Sequence, residues 1–143
     1  MKRYLHQHII SILIALIIPV MTNAQNSFPV QEGDTAQCSA FIQMPKAYIS
    51  GMCVLLKEDG LVKGSLFNEF GFTAIDFVYN PEKKKVKLIY VFEMMNKWYI
   101  KKTLRKDLAN LMQTLQKGET QYINSKRHIT YTFTPMNHQG YDS

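Results

Sequence analysis

Apolar and polar positions along the chain fall into two regimes. Between residues 38 and 92 the apolar residues come in runs of about six to nine, each closed by turn-forming residues, as expected for successive β-strands. Runs 38–43 and 47–57 flank Met44-Pro45-Lys46. The second ends at Glu58-Asp59-Gly60, where Asp-Gly supplies the positive φ angles of a tight hairpin turn. Runs 61–68 and 71–79 follow, the latter stopped at Asn80-Pro81 because proline has no amide hydrogen for a ladder. Run 86–92 comes after a lysine-rich turn. Loops this short leave no room for crossovers, so the order is antiparallel.

The period changes at Asn96. Ile100, Leu104, Leu108, Leu111 and Leu115 recur at helical spacing and share one face, with Asn96 as the expected N-cap and Gly118 as the expected stop. Lys97, Lys101, Lys106 and Gln113 take the opposite side. Alternation then returns as a hairpin, 121–125 and 128–134, in which Ile129, Tyr131 and Phe133 share a face. Residues 25–37 and 135–143 have no apolar period and are expected to be a flexible lead and tail around a single domain, 38–134.

Several strands are apolar on both faces: Cys53 and Leu55 oppose Met52, Val54 and Leu56, and Leu88, Tyr90 and Phe92 oppose Ile89 and Val91. Burial on one side alone would alternate with polar residues. Six strands at about 4.8 Å spacing make a sheet roughly 25 to 29 Å wide, whereas a helix is only about 10 to 12 Å across. The sheet must therefore curl around the helix, dimerise or enclose an apolar ligand, since a bare patch of that size is unusual on a soluble monomer. The expected fold is α+β: a curved antiparallel sheet, an open or incomplete barrel, wrapped around one long helix.

Composition agrees with one compact domain: 143 residues, 46% apolar and 12% aromatic, too greasy for a disordered chain. The N-terminus changes where that domain is expected to work. Lys2 and Arg3 precede an apolar run over residues 9–21, which at about 1.5 Å per helical residue spans roughly 20 Å, short of the bilayer core and within the range of a signal peptide. Thr22-Asn23-Ala24 supplies the small residues of a cleavage site, which makes residues 1–24 a signal peptide and the mature protein periplasmic or secreted. An uncleaved anchor over residues 5–21 is the alternative, opposed by His6, Gln7 and His8. No Cys follows the run directly, so no lipid anchor is expected.

Removing that segment lowers the formal net charge from +6 to +4. The excess is concentrated between Lys83 and Lys106, where Lys101, Lys102, Arg105 and Lys106 sit on the helix. Export argues against nucleic acid. An acidic membrane surface or envelope protein and a merely solvated lysine-rich face are the two readings. Trp98 and Tyr99, beside these lysines, read as core under the strand ends or as an interfacial contact, the former being commoner. In an oxidising compartment Cys38 and Cys53 can bridge. The hairpin around residues 44–46 sets position 38 opposite about 52, so a small bulge would bring the thiols together; two separate buried thiols are the alternative.

Ile49-Ser50-Gly51, Val54-Leu55-Leu56-Lys57, Phe67-Asn68-Glu69-Phe70-Gly71-Phe72, Asp76-Phe77 and Thr103-Leu104-Arg105-Lys106-Asp107-Leu108 resemble a group of small exported envelope proteins of Bacteroidota. That group in turn resembles the outer-membrane lipoprotein carrier and receptor, whose open barrel wraps a helix and shelters acyl chains. The resemblance covers about residues 50–115. It departs from the group in lacking a Cys after the apolar run and in having fewer strands. It implies non-enzymatic binding of an acyl chain, lipid or lipidated partner, with Leu55, Phe67, Phe77, Tyr90 and Leu104 lining the groove. An envelope interaction module without a small ligand is the alternative.

No catalytic residue, cofactor or metal is assigned. Glu69 and Asp76 are the one carboxylate pair near buried-looking strands, but a turn position for Glu69 and an ion pair of Asp76 with Arg105 explain them without chemistry. Asp107 reads as a helix-surface or ion-pair residue. His128 and His138 lack neighbours at metal-ligand spacing, and no nucleophile elbow or phosphate-cradling glycine loop is present.

Overall fold

The computed structural model describes residues 27–136, and the expected signal peptide lies outside them. The strands are β1 (Thr35–Gln43), β2 (Tyr48–Glu58), β3 (Leu61–Asn68), β4 (Thr73–Asn80) and β5 (Lys85–Val91). A 3-10 turn, Glu93–Met95, leads into helix α1 (Trp98–Gln116), and the chain returns as β6 (Gln121–Asn124) and β7 (Ile129–Pro135). All seven strands form one antiparallel sheet in the order β5-β4-β3-β2-β1-β7-β6. The sheet curls into a half-barrel, and α1 packs against both edge strands, β5 and β6. The fold is α+β, as the two-faced strands imply.

Local chemistry explains each boundary. Asp59 and Gly60 both have positive φ, 56° and 75°, the type I′ geometry that matches strand twist. The helix ends in a Schellman motif: Gly118 sits at φ 84°, its N–H donates to Leu115 O and the N–H of Glu119 donates to Thr114 O. The start of α1 differs from expectation. Lys97, not Asn96, is the N-cap, and it makes no side-chain cap, because Asn96 is held in the preceding 3-10 turn by its N–H to Glu93 O.

Inward positions alternate across the ladder. Cys38, Cys53, Leu55, Leu66, Ile75, Phe77, Tyr131 and Phe133 join Leu104, Leu108, Leu111, Met112 and Leu115 of α1 in one buried core. Gly64 makes room within it: a Cβ there would collide with the Phe77 ring, which lies over the glycine. The convex face is mixed. Met52, Val54, Leu56, Phe67 and Val78 are half-buried there, interspersed with exposed or half-buried Ser39, Lys63, Ser65 and Asp76.

The described part of the lead, residues 27–37, packs against the domain, although residues 25–37 have no apolar period. Ser27, Phe28 and Pro29 are buried, and β1 starts at Thr35 with small inward residues Ala36 and Cys38. Phe28 meets Tyr79 edge-on at 6.3 Å and plugs the end of the half-barrel where α1 finishes. The Glu32 carboxylate accepts from the N–H groups of Asp59 and Gly60, at 2.9 and 2.6 Å, and Lys57 N donates to Asp34 O. Short polar residues hide this segment's role because its bonds are made by backbone and carboxylate. At the other terminus Pro135 still belongs to β7 and Met136 N donates to Gln37 O, so the ordered chain runs past the expected boundary at 134.

Candidate functional site

The half-barrel is plugged at one end by Phe28. At the other end, the β1–β2 turn, the β3–β4 turn, the 3-10 turn and the start of α1 surround an open apolar groove. Its outer chamber, about 830 Å³, is lined by residues including Tyr48, Phe70, Phe72, Tyr90, Phe92 and Met94. An inner chamber of about 260 Å³ lies between the sheet and the first turns of α1, lined by Ile42, Ile75, Ile100, Leu104 and Tyr131 among others. Met44, Ile49 and Met95 line both, so the two chambers are adjacent and share a wall. The outer volume falls in the usual range of small-molecule sites, about 300 to 1,000 Å³.

The rim is unusually apolar for a turn region. Phe70 is 76% exposed, Phe72 70% and Met94 74%. Gly71, at φ 85°, shapes the β3–β4 turn, and Asn68 Oδ1 accepts from the N–H groups of Phe70 and Phe72, so the two aromatics are fixed by backbone bonds rather than by burial. Contiguous exposed apolar surface of this kind marks a binding site more often than chance placement.

The residues expected to line a groove divide. Tyr90 lines the outer chamber and Leu104 the inner one. Leu55 and Phe77 are sealed in the core and line neither chamber, because α1 and the curled sheet already cover the inward positions at mid-barrel. Phe67 is on the convex face, half-buried beside Met52. The residues missed are those of the turns, above all Phe70, Phe72, Met94 and Met95. The signal for them is apolar side chains where turns ordinarily carry polar ones.

Basic residues line two seams flanking α1. Between α1 and β5, Lys84, Lys85, Lys102, Arg105 and Lys106 border a groove of about 410 Å³. Between α1 and β6, a groove of about 470 Å³ is bordered by Lys102, Lys106, Lys126 and Arg127 with Trp98 and Tyr99. Of the expected anionic-surface residues, Lys102, Arg105 and Lys106 are exposed there, whereas Lys101 is half-buried and borders neither seam. Trp98 is 74% exposed and stacks edge-on with Tyr99, so the core reading of Trp98 is corrected: at the first position of α1 its side chain lies on the solvent side of the helix.

Asp107 is not a surface residue. It is 1% exposed, accepts from Asn124 Nδ2 at 2.9 and 3.1 Å, and accepts from Tyr131 Oη at 2.6 Å, tying α1 to β6 and β7. Burial, and then the bond to Asp107, push the Tyr131 hydroxyl well above the ordinary tyrosine range. Asn110 Nδ2 adds a second tie, to Tyr122 Oη at 2.9 Å. Asp76 accepts from its cross-strand partner Ser65 Oγ at 2.6 Å on the convex face, away from α1, and does not meet Arg105. Glu69 borders the outer chamber and Asp76 does not, so the two carboxylates are not brought together as an acid/base pair.

Cys38 and Cys53 stand directly opposite each other, with no bulge, one residue from the expected register. Both thiols are free and fully buried, and Cys38 Sγ donates to Ser27 O at 3.6 Å. Burial raises both, Cys38 to about 11. Among the described residues no group of three or more His, Cys, Asp or Glu is placed to hold a metal ion, and no helix is long and apolar enough to cross a membrane. Comparison with known proteins found no matching family model, no matching curated protein and no matching solved structure.

Proposed function

We propose that this protein is an exported, non-enzymatic binder of an acyl chain, free or carried by a lipid or lipidated partner, in the bacterial cell envelope. The observation that carries the reading is the pair of adjacent apolar chambers at the unplugged end of the half-barrel, which share Met44, Ile49 and Met95 as lining. A flexible hydrocarbon suits a groove walled by methionine and aromatic side chains, since thioethers repack around ligands of varied shape. Each methylene removed from water adds about 0.8 kcal/mol, so affinity grows with chain length without requiring polar contacts. The resemblance to lipoprotein carriers points the same way, and the signal-like N-terminus supports a periplasmic or secreted location.

The exposed Phe70, Phe72 and Met94 also suit a second reading, in which the rim docks an envelope protein and no small ligand enters. Native mass spectrometry of protein purified without detergent separates the two. Co-purifying mass matching fatty acid or phospholipid supports the acyl-chain reading. A clean dimer or protein complex with empty chambers overturns it.

A further inference from the structure

The apolar groove and the α1–β6 seam are not separate features. Tyr99, Thr103 and Arg127 border both the inner chamber and the seam, so the two spaces are neighbours across these three side chains. Four cations border that seam, Lys102, Lys106, Lys126 and Arg127, against one carboxylate, Asp107. Asp107 is beneath the surface, with its oxygens already accepting from Asn124 and Tyr131. The one ion pair among the described residues, Lys63 with Glu58, is elsewhere, so no carboxylate of the described residues lies within 4.0 Å of these cations. The helix adds to the field: α1 starts here with a lysine N-cap, no side-chain cap and no acidic residue in its first turn, which leaves the positive end of its dipole uncompensated.

We propose that the groove takes an anionic amphiphile, with its hydrocarbon chain in the apolar chambers and its carboxylate or phosphate head in the α1–β6 seam. This deepens the acyl-chain reading above and rests on it. A neutral alcohol or a protein side chain would fill the groove and leave the four cations unpaired. An anionic head is drawn to them, and Arg127, bordering both spaces, is placed to pair with it at the junction. The seam on the β5 side is bordered by five cations, of which Lys102 and Lys106 also border the β6-side seam, but it shares no lining residue with either chamber. It therefore serves as an internal control.

The test is binding of laurate, dodecyl phosphate and 1-dodecanol, each below its aggregation concentration, and of inorganic phosphate alone, to the full mature chain. The unsubstituted protein is expected to hold the two anions at least tenfold more tightly than the alcohol, and phosphate alone far more weakly than dodecyl phosphate. Lys102→Ala/Lys106→Ala/Arg127→Ala is expected to lose about tenfold on both anions and less than twofold on 1-dodecanol. Lys84→Ala/Lys85→Ala/Arg105→Ala, with the same change in net charge, is expected to change neither by more than twofold. Of the six positions, the three outside α1 (Lys84, Lys85 and Arg127) lie in turns or at a strand end, and thermal melts of both triple variants check the fold. Equal affinity for laurate and 1-dodecanol, or equal losses in the two triple variants, overturns the inference while leaving an acyl site standing. Phosphate binding as tightly as dodecyl phosphate overturns the link between seam and groove. Failure of every twelve-carbon probe to bind overturns both this inference and the reading beneath it.

Discussion

Tyr131→Phe isolates the bond that fastens α1 across the open side of the half-barrel. The substitution keeps the ring and deletes one hydroxyl, which donates to buried Asp107 at 2.6 Å and is itself nearly inaccessible to water. A hydrogen bond to a charged acceptor contributes about 1.5 to 3 kcal/mol. Asp107 keeps both contacts from Asn124, and it borders a seam that water can enter, so the lower half of that range applies, about 2 kcal/mol. For a domain of this size such a loss lowers the melting temperature by about 10 °C. Asp107→Ala strands two donors and is expected to cost more, about 3 to 4 kcal/mol. Urea unfolding of the single and double variants gives the coupling directly, expected at about 1 to 2 kcal/mol. A loss below about 0.5 kcal/mol for Tyr131→Phe, with unchanged dependence on urea, would refute the assignment of this bond as the tie between helix and sheet.

Three further outcomes follow from particular contacts. Gly64→Ala forces a methyl against the buried Phe77 ring and is expected to cost about 1 to 3 kcal/mol in urea unfolding, a cost relieved in the double variant Gly64→Ala/Phe77→Leu. Glu32→Ala removes the acceptor for the Asp59 and Gly60 amides, both exposed enough for water to replace it, so stability should fall by about 1 kcal/mol while hydrogen exchange at those two amides accelerates. Because burial raises Cys38 from 9.0 to about 11, the folded chain keeps a thiol proton that the unfolded chain has lost. The associated stability is complete below about pH 9 and declines as pH rises toward about 11, and Cys38→Ala should flatten part of that decline. A stability curve independent of Cys38 over that interval would show the thiol to be solvated.

The sheet and helix were legible wherever periodicity and turn chemistry agreed. β3 occupies the predicted 61–68, the Asp59-Gly60 turn has the required φ angles, and Leu104, Leu108, Leu111 and Leu115 face the core as their spacing demands. Four parts were not legible for physical reasons. The lead Ser27 to Asp34 docks through one phenylalanine and a carboxylate that caps another hairpin, neither of which produces a period. The cross-strand alignment of Cys38 with Cys53 depends on the exact length of the Met44–Ala47 turn, and one residue decides it. The groove was predicted from strand residues, yet inward strand positions at mid-barrel are filled by α1; the open volume lies beyond the strand ends, among turns whose apolar residues have no repeat. Asp107 could not be distinguished from a surface carboxylate, since its partners Asn124 and Tyr131 are distant in sequence and come from the final hairpin.

The most direct test of an acyl-binding groove uses the methionines as reporters. Met44 and Met95 line both chambers, Met112 is fully buried on the core face of α1 away from them, and Met52 lies on the convex face. With ¹³C-labelled methionine methyls, titration with laurate should move or broaden the Met44 and Met95 signals in step and saturably, with Met52 and Met112 unchanged. Saturable binding that moves Met52, or laurate additions that leave Met44 and Met95 unmoved, would contradict the account.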